Sequence, residues 1–82
     1  MMETGYVILN LKPGMKKEFL GRVKTVKGVT EARVVIGIFD AIVKMEAETI
    51  EELERIYLNE IDKISGLVGS RLHIVACPRT RK

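Results

Sequence analysis

Runs of apolar and polar positions divide the chain into six segments. From Gly5 to Leu11 the residues are largely β-branched, aromatic or leucine and stop at Lys12-Pro13-Gly14, a turn signal, which predicts a strand. From Met15 to Val26 the apolar residues Met15, Phe19, Leu20, Val23 and Val26 recur at helical spacing, with Lys16, Lys17, Glu18 and Lys24 opposite. Gly28 follows as a left-handed cap. From Val29 to Ile38 the period changes to two, with Ala32, Val34, Ile36 and Ile38 on one face. A short link at Phe39-Asp40 then enters a strand from Ala41 to Ala47, predicting a hairpin.

The second helix has the clearest start. In Thr49-Ile50-Glu51-Glu52 the threonine hydroxyl can accept from the amide of Glu52, whose carboxylate can reach back, as in a capping box. Leu53, Ile56, Tyr57, Ile61 and Ile64 form its apolar stripe, Glu51 and Arg55 are spaced for an i,i+4 pair, and Gly66 closes it. The last strand runs from Val68 to Ala76, and Pro78 ends the pattern. Sliding the chain by 38 residues sets Phe19 on Tyr57, Val23 on Ile61, Val26 on Ile64, Gly28 on Gly66 and Arg33 on Arg71. Two βαβ copies predict an α+β, ferredoxin-like βαββαβ fold: a four-stranded antiparallel sheet with both helices on one face. Residues 1–82 form one domain on this reading, with 5–76 as its core and 77–82 as a tail.

Alternation then assigns the sheet's two faces. Val7, Leu9, Val34, Val43, Leu72 and Ile74 belong under the helices. On the opposite face, apolar Ile8, Val35, Ile42 and Val75 mix with Arg33, Lys44, Arg71 and His73. A solvated antiparallel face is mostly polar, so this mixture predicts a subunit interface through Ile8, Val35, Ile42, His73 and Val75. Length agrees, because a chain of 82 residues buries too little surface to be very stable alone.

Composition narrows the classes. With 46% apolar and 30% charged residues the chain is globular, and it has neither a signal peptide nor an apolar run of the ~20 residues that a membrane span needs. The lone Cys77 can form no internal disulfide, which fits a cytoplasmic protein, and one histidine excludes most metal-site chemistry. No cofactor or metal is expected, and the glutamates at positions 46, 48, 51, 52 and 54 are explained by helix capping and solvation. Of the 14 basic residues, Arg79, Arg81 and Lys82 sit in the last four positions; the other 11 balance the 11 acidic ones. A neutral core argues against direct nucleic-acid binding.

The ordered set Lys12-Pro13-Gly14, Gly28-Val29, Gly37-Ile38-Phe39-Asp40 and Thr49-Ile50-Glu51-Glu52-Leu53-Glu54 resembles the effector (RAM) domain of the leucine-responsive Lrp/AsnC regulators, from Gly5 to Ala76. The chain starts at that domain's first strand and so resembles the family's stand-alone members. The resemblance implies dimers formed through the sheets, rings of dimers, possible association with full-length regulators, and an amino-acid effector held between dimers at Gly37, Ile38, Phe39, Asp40, Ser70 and Leu72. Gly37 would admit a ligand close to the backbone, and Asp40 would accept from its ammonium group. The alternative for these residues is a plain hairpin turn, in which Asp40 would tolerate alanine. Where family members carry a second hydroxyl after Ser70, this chain has Leu72, which favours an apolar effector side chain. Two other classes share parts of the pattern: a dimeric α+β barrel enzyme, for which only His73 offers a catalytic group, and an ACT-like amino-acid sensor. The regulatory, non-enzymatic reading accounts for more of the residues.

Overall fold

Strand β1 (Glu3–Leu11) lies between β3 (Ala41–Ala47) and β4 (Leu67–Ile74), and β2 (Val29–Val34) pairs with the far edge of β3, giving the order β2-β3-β1-β4. Every pairing is antiparallel. Helices α1 (Lys16–Val23) and α2 (Ile50–Ile56) complete the βαββαβ order of the ferredoxin-like α+β fold. The computed structural model describes residues 2–76; Cys77, Pro78 and the basic residues Arg79, Arg81 and Lys82 lie outside the described residues. Among the described residues no helix is long and apolar enough to cross a membrane.

Strand alternation builds the core. Val7, Leu9, Leu11, Ala41, Val43, Met45 and Ala47 are buried on one face, and Phe19, Val23, Leu53, Ile61 and Ile64 descend onto them from the helical layer. Phe19 is wholly buried, so truncating it to alanine would cost about 3–5 kcal/mol.

The internal repeat is visible in the backbone. The amide of Val26 donates to the Val23 carbonyl at 3.1 Å, and 38 residues later Ile64 donates to Ile61 at 3.1 Å. Each turn then closes on a left-handed glycine, Gly28 at φ 100° and Gly66 at φ 95°.

Some boundaries differ from expectation. The first helix ends at Val23, not Val26, because the tighter Val26–Val23 turn already follows it. The second helix passes into a π-helical turn over Tyr57–Ile61, where Asp62 donates to the Tyr57 carbonyl at 2.8 Å. This wider turn keeps Leu53, Tyr57 and Ile61, spaced by four, on the side facing the sheet. Thr49 caps the Glu52 amide at 3.1 Å as predicted. The Glu52 carboxylate, however, lies 3.6 Å from Arg55, so the ion pair is Glu52–Arg55 and not Glu51–Arg55.

The hairpin between β2 and β3 is the larger correction. Alternation continues to Ile38, but the strand stops at Val34, which pairs with Ala41, the first residue of β3. Beyond it the two strands share one further backbone hydrogen bond and then part. Val35 donates to the Asp40 carbonyl at 2.9 Å, and Ile36 and Ile38 are 98% and 86% exposed. The connection therefore runs from Val35 to Asp40. Asp40 fastens it to β1: its amide donates to the Leu9 carbonyl at 2.9 Å, and its Oδ2 accepts from the Leu11 amide at 2.8 Å. Lys16 Nζ stands 3.8 Å from Oδ1.

Two predictions follow from this packing. A Cβ on Gly28 would sit 2.9 Å from Ile56 Cδ1 in a left-handed backbone, whereas one on Gly21 would meet nothing within 4 Å. Urea denaturation should show Gly28→Ala losing about 1–2 kcal/mol or more, and the helical Gly21→Ala gaining about 0.5–1 kcal/mol. Asp40→Ala should cost about 1–3 kcal/mol, because the Leu11 amide loses its acceptor, while Asp40→Asn should cost less. A plain turn aspartate would show no such difference.

Candidate ligand-binding site

Among the described residues no element covers the sheet face away from the helices. Tyr6 pairs with both Lys44 and His73, and Ile8 with both Ile42 and Arg71, so these six side chains share the centre of that face. Val75 extends the same ladder by donating to the Thr4 carbonyl at 2.8 Å. Ile8, Val35, Ile42 and Val75 are half-buried and His73 is exposed. Tyr6, Glu31, Arg33, Val35, Ile42 and Lys44 enclose an apolar groove of about 170 Å3.

Charges on this face are mostly paired. Arg33 Nε donates to Glu31 Oε2, and that hydrogen bond, followed by the guanidinium charge and then Lys44, holds the exposed Glu31 carboxyl below its ordinary pKa. Lys44 Nζ lies 3.9 Å from Glu46. Arg71 has no ion-pair partner among the described residues.

Where this face meets the hairpin, Ile8, Asn10, Phe39, Gly69, Ser70 and Arg71 line a shallow depression of about 350 Å3. The Asn10 amide donates to the Ile38 carbonyl at 2.8 Å and ties the hairpin to the depression's rim. Gly37 is not left-handed, and a Cβ there would meet nothing within 4 Å. Neither its backbone conformation nor packing within the chain calls for a glycine at that position.

Of the residues expected at the site, Phe39 and Ser70 line the depression directly. Gly37 and Ile38 belong to the adjoining hairpin, and Asp40 is occupied in fastening it. Ser70 Oγ lies 2.7 Å from Tyr57 Oη and donates to Asp62 Oδ1 at 3.1 Å, so its hydroxyl faces the helical layer. Leu72 does not line the depression. Its Cδ1 lies 3.0 Å from where a Gly5 Cβ would stand, and it packs against the core. Four residues of the depression lie outside the set expected to bind the ligand: Ile8, assigned to the subunit interface, and Asn10, Gly69 and Arg71. Alternation assigns Asn10 and Arg71 to the open face, but only the β1–β4 register, with Ile8 opposite Arg71 and Asn10 opposite Gly69, makes them neighbours. Among the described residues no group of three His, Cys, Asp or Glu side chains is placed to hold a metal ion.

The model of the Lrp/AsnC ligand binding domain matches residues 4–78. Among solved structures, FFRP-DM1 is similar with a TM-score of 0.84 at 26% identity, covering 90% of this chain and 99% of that one. AsnC of E. coli gives a TM-score of 0.83 at 22% identity, covering 98% of this chain and 55% of that one; the present chain thus spans about half of AsnC. The transcriptional regulator NMB0573 of Neisseria meningitidis, solved as a complex with L-Met, gives 0.81 at 11% identity, covering 96% of this chain and 53% of that one. The last two likenesses establish the fold alone. No curated protein matches the sequence. The match over residues 4–78 makes this chain a member of the Lrp/AsnC ligand-binding-domain family.

Proposed function

We propose that the chain is an effector-sensing and oligomerisation module in transcriptional regulation, and that its effector is an α-amino acid. Family membership supports a regulatory role rather than catalysis. The observation that carries the ligand reading is the depression between the hairpin and strands β1 and β4, beside a glycine that the fold itself does not require. On the hairpin side Phe39 lines the depression and offers an apolar contact, Asp40 holds the loop against β1, and Gly37 and Ile38 are the adjoining positions that would meet the ligand. Ser70 borders the depression and Leu72 supports it from the core side. The complex of NMB0573 with L-Met supports an amino acid as the ligand class.

In the same proposal a second copy covers the open face through Ile8, Val35, Ile42, His73 and Val75. Half-buried apolar groups there, with no helix above them, support this. Dimers would join into rings in the cytoplasm, alone or with full-length regulators of the family.

A thermal-shift screen against the twenty amino acids tests the effector. One selective ligand should stabilise the fold by about 2.7 kcal/mol at a hundredfold excess over Kd. A flat response across all twenty contradicts the reading. Assembly is tested by Ile42→Glu and Val35→Glu, each of which buries an unpaired charge in the interface. Sedimentation velocity should show smaller, folded species than the wild type; unchanged sedimentation of both variants contradicts the interface.

A further inference from the structure

The open face carries three cationic side chains in its strands, and two of them, Arg33 and Lys44, have carboxylates beside them. Arg71 has none among the described residues, and it lines the depression with Asn10 and Phe39. An arginine presents a planar fork of donors that matches a carboxylate in two parallel hydrogen bonds. Asn10 supplies the complementary group. The Ile38 carbonyl can only accept, so the Asn10 Nδ2 must face it, and the Oδ1 is left as an acceptor with no partner among the described residues.

Asn10 lies opposite Gly69, and Arg71 is two residues along the same strand, so the pair is diagonal across the ladder. Such neighbours stand roughly 7–8 Å apart, within reach of long side chains. Gly69 puts no side chain between them, and Phe39, 42% exposed, stands at the apolar side.

Building on the effector reading, we infer that Arg71 and Asn10 are the polar anchors of the ligand. Arg71 binds the α-carboxylate, Asn10 Oδ1 accepts from the α-ammonium group, and Phe39 contacts an apolar side chain. The ligand class is a zwitterionic α-amino acid with an apolar side chain. Asp40, whose carboxylate already holds the Leu11 amide, positions the loop and does not take the ammonium group.

Calorimetry on the full chain tests this, with the tightest-binding of the twenty amino acids, its α-amide and its N-acetyl derivative. Wild type should bind the amide and the N-acetyl form about ten- to a hundredfold more weakly, as expected for losing a charge-assisted hydrogen bond. Arg71→Gln should weaken the free amino acid by a similar factor and no longer distinguish it from its amide; Arg71→Lys should fall between. Arg71 is exposed in the single chain, so both variants should keep the wild-type circular dichroism spectrum. If Arg71→Gln binds like the wild type and still prefers the acid, the inference is overturned while the effector reading stands. If no amino acid binds at all, succinate is titrated while the 15N resonance of Arg71 Nε is followed. A saturable shift then keeps Arg71 as a carboxylate anchor and removes the amino-acid reading, and no shift overturns the inference as well.

Discussion

Two helices can roof only one face of a four-stranded sheet, and the rest of this structure depends on that limit. β1 runs between β3 and β4, so its alternate residues set both sides. Val7, Leu9 and Leu11 point into a fully formed core, while Tyr6, Ile8 and Asn10 point to a face that nothing among the described residues covers. A slip of one residue in either pairing would exchange the two sets. The core therefore dictates the content of the open face: Ile8 must lie between Ile42 and Arg71 because Val7 lies between Val43 and Leu72. Its half-buried apolar groups support the proposed second copy, and Arg71 at its margin supports the proposed ligand anchor.

The hairpin gives that face its depression. Val35 to Asp40 leave the sheet where β2 loses its partner, and three hydrogen bonds return them to β1: Asp40 to Leu9, Leu11 to Asp40, and Asn10 to Ile38. Phe39 is thereby brought to the edge of the depression. Behind it, the Tyr57–Ser70–Asp62 hydrogen bonds tie β4 to the π-helical turn. One wall of the depression thus rests on a fastened loop and another on a strand braced from the helical side.

Much of the fold was legible in the sequence because its signals are local. Thr49, the glycines Gly28 and Gly66, and the alternation from Gly5 to Leu11 each act within a few residues of themselves. The misread elements depend on distant partners. Val34, Ile36 and Ile38 alternate as a strand would, yet a strand also needs a neighbour, and Ala41 is the first that β3 offers. Asp40 was recognised as a candidate, but its main partner, Leu11, is 29 positions away, so a fastening role could not be read from a turn motif. Ser70, implied by the resemblance, does line the depression, while parity with Leu9 and Val7 turns its hydroxyl and the Leu72 side chain toward the helical layer. Arg71 and Asn10 were placed on the correct face, but their adjacency required the register.

The most direct test of the covered open face is small-angle scattering of the wild type over a wide concentration range. A single chain has a radius of gyration of 12.6 Å over its Cα atoms. A compact pair joined through their sheets should scatter with a radius of about 15 Å or more by the scaling of size with chain length. The account predicts that larger value at all but the lowest concentrations. A concentration-independent radius close to that of the single chain would contradict it.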